Sequence, residues 1–264
     1  MERRVHRVSV PVATRAPSGR TNAYLVGGSD ALLVDPAART AELDAAVAER
    51  GVAHVAATHA HPDHVGAVAD YAAETGATVW ARRGRERRFE TATGVAPDRT
   101  FGEGTRIETG DGAVTALDAP GHAADHVAFE IGGFGPAAVL CGDLAVAEGS
   151  VVVGAPDGDM RAYLTSLRRL HARNPSRLLP GHGPAVDDPR ATLSRLIRHR
   201  LDRERRVLAA VRDGTSDVDG VVDAAYEKDL TGVRDLARAT VVAHVEKLAH
   251  EGKVRWVDGT VRPG

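Results

Sequence analysis

The sequence predicts an α+β chain in two parts, residues 1–191 and residues 192–264. Three observations predict it. Strand-like runs alternate with short helical segments through the first part. After residue 188 the pattern changes to long, Arg-rich amphipathic helices. Near the end, Asp258-Gly259 separates two short β-prone runs, the signal of a type I′ hairpin.

In chain order, Val5–Val12 alternates as a strand does. Asn22–Val26 and Ala31–Asp35 read as strands joined by the turn Gly27-Gly28-Ser29-Asp30. Ala41–Arg50 reads as a helix, capped by Thr40 and stopped by Gly51. Val52–Thr58 is a short apolar strand, Val65–Thr75 a helix closed by Gly76, and Ala77–Trp80 another strand. Residues 82–112, rich in Arg, Gly and Thr, give no clear period. Ala113–Ala119, Val127–Ile131 and Ala137–Cys141 read as strands, with a Gly-rich turn at Gly132–Pro136. Gly158–His171 is a helix and Arg177–Leu179 a last short strand. Helices follow at Thr192–Arg212, Val218–Glu227 and Val233–His250, and the runs Lys253–Val257 and Thr260–Arg262 end the chain. Three helices and a hairpin are the layout of a winged helix.

Composition sets bounds. The 264 residues are 43 % hydrophobic and 27 % charged, enough apolar matter for a sizeable core. No apolar run approaches the roughly 18 residues of a membrane span. The start, MERRVHRVSV, has no long apolar segment, so the expected compartment is the cytoplasm. A net charge of −2 gives no bulk case for nucleic acid or an anionic membrane. One cysteine, Cys141, excludes an intrachain disulfide and a Cys-rich zinc module. Its place inside a strand argues for a buried packing residue.

The chemistry concentrates in histidines. Thr58-His59-Ala60-His61-Pro62-Asp63-His64 follows a strand and precedes a helix. In an extended segment alternate side chains point the same way, so His59 and His61 can share one metal. Pro62 keeps His61 extended and suits the first turn of a helix. Asp63 and His64 then diverge from the first pair, placed for a second metal. Pro120-Gly121-His122, Gly142-Asp143 and Pro180-Gly181-His182-Gly183 each follow a strand end. Loops there are held by a rigid sheet yet open to substrate. His126 has three readings: a pocket residue, a support for the ligands, or the polar start of a strand. Tyr163, Ser166 and Asp159 are expected to be structural or rim residues.

The ordered set HxHxDH, PGH, GD and PGHG resembles the metallo-β-lactamase superfamily. The resemblance spans residues 1–190 and implies a four-layer αββα sandwich. It implies that His59, His61 and His122 bind one metal, that Asp63, His64 and His182 bind another, and that Asp143 bridges them. Asn22 and Asp35 fit the opening strands of the family, with Asp35 behind the ligands. An Asp at 143, with Cys141 set back from it, resembles the glyoxalase II branch.

This resemblance implies a hydrolase in which two metal ions share an activated hydroxide oriented by Asp63, the expected catalytic residue. Zinc is the expected metal, with iron or manganese as alternatives. The expected substrate is a small ester or thioester. Single-stranded RNA is the alternative, because the helical tail is similar to the winged helix of β-lactamase-like protein 2 relatives. The tail's 14 basic and 12 acidic residues are a weak footprint for nucleic acid. Two arginine clusters, at 82–88 and 195–206, read as solvated, ion-paired surface. The tail is expected to narrow the mouth of the site or to form a homodimer contact.

Overall fold

The computed structural model describes residues 5–132 and 137–264. Most of the expected turn Gly132–Pro136 lies outside the described residues.

Two mixed sheets form the centre. The first orders β1 (Val5–Pro11), β2 (Arg20–Val26), β3 (Ala31–Val34), β4 (Val52–Ala56), β5 (Thr78–Arg82) and β6 (Arg99–Phe101) side by side. The second contains β7 (Arg106–Thr109), β8 (Gly112–Asp118), β9 (Val127–Ile131), β10 (Ala138–Gly142) and β11 (Arg177–Pro180), paired in the order β11-β10-β9-β8-β7. Period-two alternation decides what each face meets. Along β2, Tyr24 and Val26 join the core between the sheets, with Trp80, Phe101 and Phe129. Their neighbours Ala23 and Leu25 face the other way.

That outer face is covered by α1 (Ala41–Arg50), α2 (Pro62–Val65), α3 (Val68–Thr75) and α4 (Glu86–Thr93), through Leu43, Val47, Val65, Tyr71 and Phe89. The outer face of the second sheet is covered by α5 (Met160–Arg173) and the first half of α6 (Pro189–Arg212), through Tyr163, Leu167, Leu193 and Leu196. The result is a four-layer αββα sandwich, as the resemblance implied. No helix among the described residues is long and apolar enough to cross a membrane.

Three element readings change. The helix expected over Val65–Thr75 is two, α2 and α3. A side chain at Gly66 would collide with the Ala37 carbonyl, and the Ala67 amide turns away to donate to Pro36 O at 2.9 Å. The unreadable stretch 82–112 holds α4, β6 and β7. Phe89 is the single buried side chain of α4, too little for a helical period to show. Helix α6 starts at Pro189 rather than Thr192. Asp188 accepts from the Ala191 amide, and Pro189 occupies the first turn, where its missing N–H costs nothing.

Val207, Ala210 and Val211 of α6 pack with α7 (Val218–Ala225), α8 (Arg234–His250), β12 (Val254–Val257) and β13 (Thr260–Pro263). The hairpin turn has both centres in the left-handed region, Asp258 at φ 48° and Gly259 at φ 74°, as a type I′ turn requires. The 195–206 arginines are mostly structural. Arg195 donates to three carbonyls of the 146–149 loop, Arg203 to Ala225 O, and Arg206 pairs with Glu227.

Between α6 and α8, buried Glu204 pairs with Lys247 at 2.7 Å, and buried His244 lies 3.8 Å away. Burial pushes the Glu204 carboxyl up, but His244 and Lys247 outweigh it and hold it at about 2. This value lies below the ordinary glutamate range. The stabilisation is therefore complete above that range and is lost as pH falls toward 2. Glu204→Gln is expected to cost about 2–3 kcal/mol at neutral pH. It should also flatten the acid limb of stability between pH ~5 and ~2, measured by urea unfolding across pH.

Candidate metal centre

The loops after β4, β8, β10 and β11 meet at one edge of the sandwich. Strands β8 and β10 are both antiparallel to β9, and β11 is parallel to β10, so all three end on the same side. Two backbone bonds join the sheets at that edge. Asn22 N–H donates to Gly181 O at 2.7 Å, and Val127 N–H donates to Thr58 O at 2.8 Å. Asn22 Nδ2 also donates to Pro180 O and Gly183 O, both at 2.9 Å, and the Tyr24 hydroxyl reaches Pro180 O at 2.7 Å. These bonds fix the loop that carries His182.

All seven candidate ligands converge there. His59, His61 and His122 form one group, and Asp63, His64 and His182 another. Asp143 lies between them: Oδ2 is 3.6 Å from His122 Nε2 and 3.4 Å from His182 Nε2. Its Oδ1 is buried and 3.7 Å from His64 Nε2, with no hydrogen-bond partner.

The rings are aimed from behind. His61 Nε2 meets Asp157 Oδ2 at 2.8 Å, and His64 Nδ1 meets Asp35 Oδ2 at 3.0 Å. His122 Nδ1 meets Val152 O at 2.7 Å, and His182 Nδ1 meets Arg20 O at 2.8 Å. Carboxylates and carbonyls only accept, so each of these nitrogens carries the proton. His59 Nδ1 lies 3.1 Å from the Thr58 hydroxyl, which itself donates to Asp35. With the outer nitrogens protonated, a neutral ring presents its other nitrogen inward with a lone pair.

The first group tests whether a cation fits. His59 Nε2 and His122 Nε2 lie 2.9 and 3.0 Å from His61 Nδ1. Burial, with the neighbouring rings, keeps His59 well below the usual histidine range and lowers His122. With all three rings neutral, their lone pairs face one another at contact distance. A cation satisfies all three. In the second group burial opposes charge on His64, but Asp35 and Asp143 outweigh it and lift the ring to about 9. Burial also opposes the Asp143 charge, yet His64, His182 and His122 hold the carboxyl well below its ordinary range. Positive charge belongs at this second group whether a proton or a metal carries it.

The other candidates have structural parts. His126 is fully buried. Its Nδ1 donates to Ala119 O at 3.0 Å, so Nε2 accepts the Asp143 amide at 3.0 Å and fixes the Gly142-Asp143 turn. Of its three readings, this is the support for the ligands. Cys141, on β10, is buried on the helix-covered face of the second sheet, and burial pushes its thiol up to about 12. Tyr163 donates to Leu144 O, Ser166 to Pro120 O, and Asp159 caps α5. Asp63 is half-buried, and Thr14 donates to its Oδ2 at 2.5 Å.

Sequence reasoning missed Asp157, Asp125, Arg88 and Thr14. Arg88 grips Asp157 with both terminal nitrogens, at 2.5 and 2.7 Å, and pairs with Asp125 at 3.0 Å. Asp125 accepts from the Ala60 amide at 2.8 Å. This ion-pair network locks His61 and the segment between His59 and His61. No local motif announces it.

A two-sheet sandwich with a histidine and aspartate cluster at one edge defines the class: a metal-dependent hydrolase. The chain matches the metallo-beta-lactamase superfamily family model over residues 16–182, more than half its length, and it belongs to that superfamily. It is 26 % identical over 257 residues to a beta-lactamase-like protein 2 homolog of Caenorhabditis elegans, covering 91 % of this chain and 85 % of that protein. It is 30 % identical over 199 residues to the thioesterase pkgB of Emericella nidulans, covering 72 % of this chain. That protein is longer, and this chain spans 53 % of it. A metallo-beta-lactamase family protein from Thermus thermophilus superposes with a TM-score of 0.79 at 24 % identity, covering 98 % of both chains.

Proposed function

We propose that the chain hydrolyses a small ester or thioester with two divalent cations. Zinc is the metal proposed, with iron or manganese as alternatives. One observation carries this reading: neutral imidazoles pointing lone pairs at one another beside a buried, partnerless carboxylate oxygen. His59, His61 and His122 would hold one cation, Asp63, His64 and His182 the other, with Asp143 shared. When bound, the cations supply Lewis acidity that activates water and polarises the scissile carbonyl.

The chain's own groups do the rest. Asp63, restrained by Thr14, reaches the rim and can hold and orient the attacking water through its proton. Buried Asp143 stays ionised and offsets the positive charge gathered around it. Asp157 and Asp35 keep the His61 and His64 rings aimed, so little reorganisation is left for the reaction. The name of the relative pkgB supports a thioester among the candidate substrates. In the same reading the tail from residue 192 is a winged helix that packs beside the site. Its Ala239 carbonyl accepts from the Ala155 amide at 3.2 Å, and Arg200 donates to Val151 O, next to the carbonyl that holds His122.

The test pairs elemental analysis with hydrolysis of thioester and lactone panels. The wild type is expected to hold two metal equivalents and to cleave at least one class. Asp143→Ala should lose metal from both groups and lower kcat/KM by roughly a thousandfold. A fully active, metal-free Asp143→Ala protein would contradict the reading.

A further inference from the structure

Beside the metal centre lies a groove of about 580 Å³, floored by Ala60 and walled by the start of α4. Ala60 is the residue between His59 and His61, so the groove runs beside the segment that carries two ligands of the first group. Its volume suits a ligand larger than a simple ester.

The charges in its wall separate into spent and unspent. Arg88 is taken by Asp157 and Asp125. The Glu86 carboxylate turns back to accept the Gly84 amide at 3.0 Å. Arg85 and Arg87 are exposed, and their side chains make no hydrogen bond or ion pair among the described residues. Two planar guanidinium forks therefore stand free at the mouth of an otherwise balanced wall. Such forks match phosphate oxygens in pairs.

We propose that this groove takes the phosphate-bearing end of a thioester's thiol carrier, with Arg85 and Arg87 recognising the phosphates. The choice of a thioester rests on the hydrolase reading above. In this proposal the carrier lies along α4, and Ala60 at the floor brings its acyl end beside the segment that carries His59 and His61. Nucleic acid fits less well. No aromatic residue lines the groove, so a base finds nothing to stack on. The groove's lining offers two free cations rather than a track along a strand.

The test is binding of desulfo-coenzyme A, which has no thiol to reach a metal, to the metal-loaded full chain by calorimetry. Arg85→Ala/Arg87→Ala is expected to weaken it roughly tenfold or more, and added salt to weaken the wild type similarly. Desulfo-pantetheine, without phosphates and likewise without a thiol, should bind weakly to both proteins alike. Arg85→Lys/Arg87→Lys should recover part of the loss. Equal binding of desulfo-pantetheine and desulfo-coenzyme A, or no effect of the double variant, overturns the proposal. So does S-methylglutathione binding as tightly, or a single-stranded RNA displacing desulfo-coenzyme A through the same arginines. Hydrolysis is read separately. Arginine-dependent binding without cleavage of acetyl-coenzyme A defeats the thioesterase reading and leaves the groove standing. Cleavage of coenzyme A and pantetheine thioesters at equal rates, unchanged in the variant, does the reverse.

Discussion

Gly181→Ala is expected to lower hydrolysis about a hundredfold and to reduce metal content, with the far-UV spectrum unchanged. A Cβ at 181 would stand 2.7 Å from Asp143 Oδ1 and 2.7 Å from His64 Cε1. Both belong to the ligand cluster, and neither has room to retreat. His64 is fully buried and held by Asp35, and the Asp143 amide is held by His126. The added methyl must therefore push the carboxylate off its position between the two ligand groups. Gly183 supplies the control two residues on. A Cβ there meets nothing within 4 Å, but its φ of +77° disfavours any L side chain. Gly183→Ala should cost about 1 kcal/mol of stability and leave metal content intact. Stoichiometry by elemental analysis, with melting curves for both variants, separates the two effects. A Gly181→Ala protein with full metal and full activity would refute the packing described here.

The same loop shows why some of the site was legible in the sequence and some was not. His59, His61, Asp63 and His64 lie within six residues, so their spacing alone states which pairs share a direction. His122, Asp143 and His182 stand beside glycines at strand ends, where the pleat and turn chemistry limit the alternatives. Asp157 had no such signal. It lies 96 residues from His61, in a loop with no repeat or period, and only the folded chain brings it to the ring. Charge patterning met the same limit. Local sequence placed five arginines at 82–88 but could not tell which were occupied. The fold spends Arg82 on Asp118 and Arg88 on Asp125 and Asp157, while Arg85 and Arg87 stay free. The α2–α3 break was hidden because its cause, the carbonyl of Ala37, lies on another segment.

Asp35 tests how far the support behind a ligand controls the cation in front. Its backbone sits in the left-handed region at φ 54°, which Asn also tolerates. Oδ1 accepts the Thr58 amide at 2.7 Å, while Oδ2 accepts the Thr58 hydroxyl at 2.9 Å and His64 Nδ1 at 3.0 Å. Asp35→Ala strands three buried donors and should cost about 3 kcal/mol or more. Asp35→Asn is the sharper variant because it keeps the shape. One amide oxygen can still accept the Thr58 amide, but the NH2 group would then face two donors. His64 relieves the clash by moving its proton to Nε2, which turns its inward nitrogen from an acceptor into a donor. The ring then points an N–H at the cluster and cannot ligate. Metal affinity at the Asp63, His64 and His182 group should fall by roughly 10–100-fold, while the His59, His61 and His122 group keeps its cation. Elemental analysis should give close to one equivalent where the wild type holds two. Equal loss from both groups, or from neither, would show that the Asp35 carboxylate does not set the His64 tautomer.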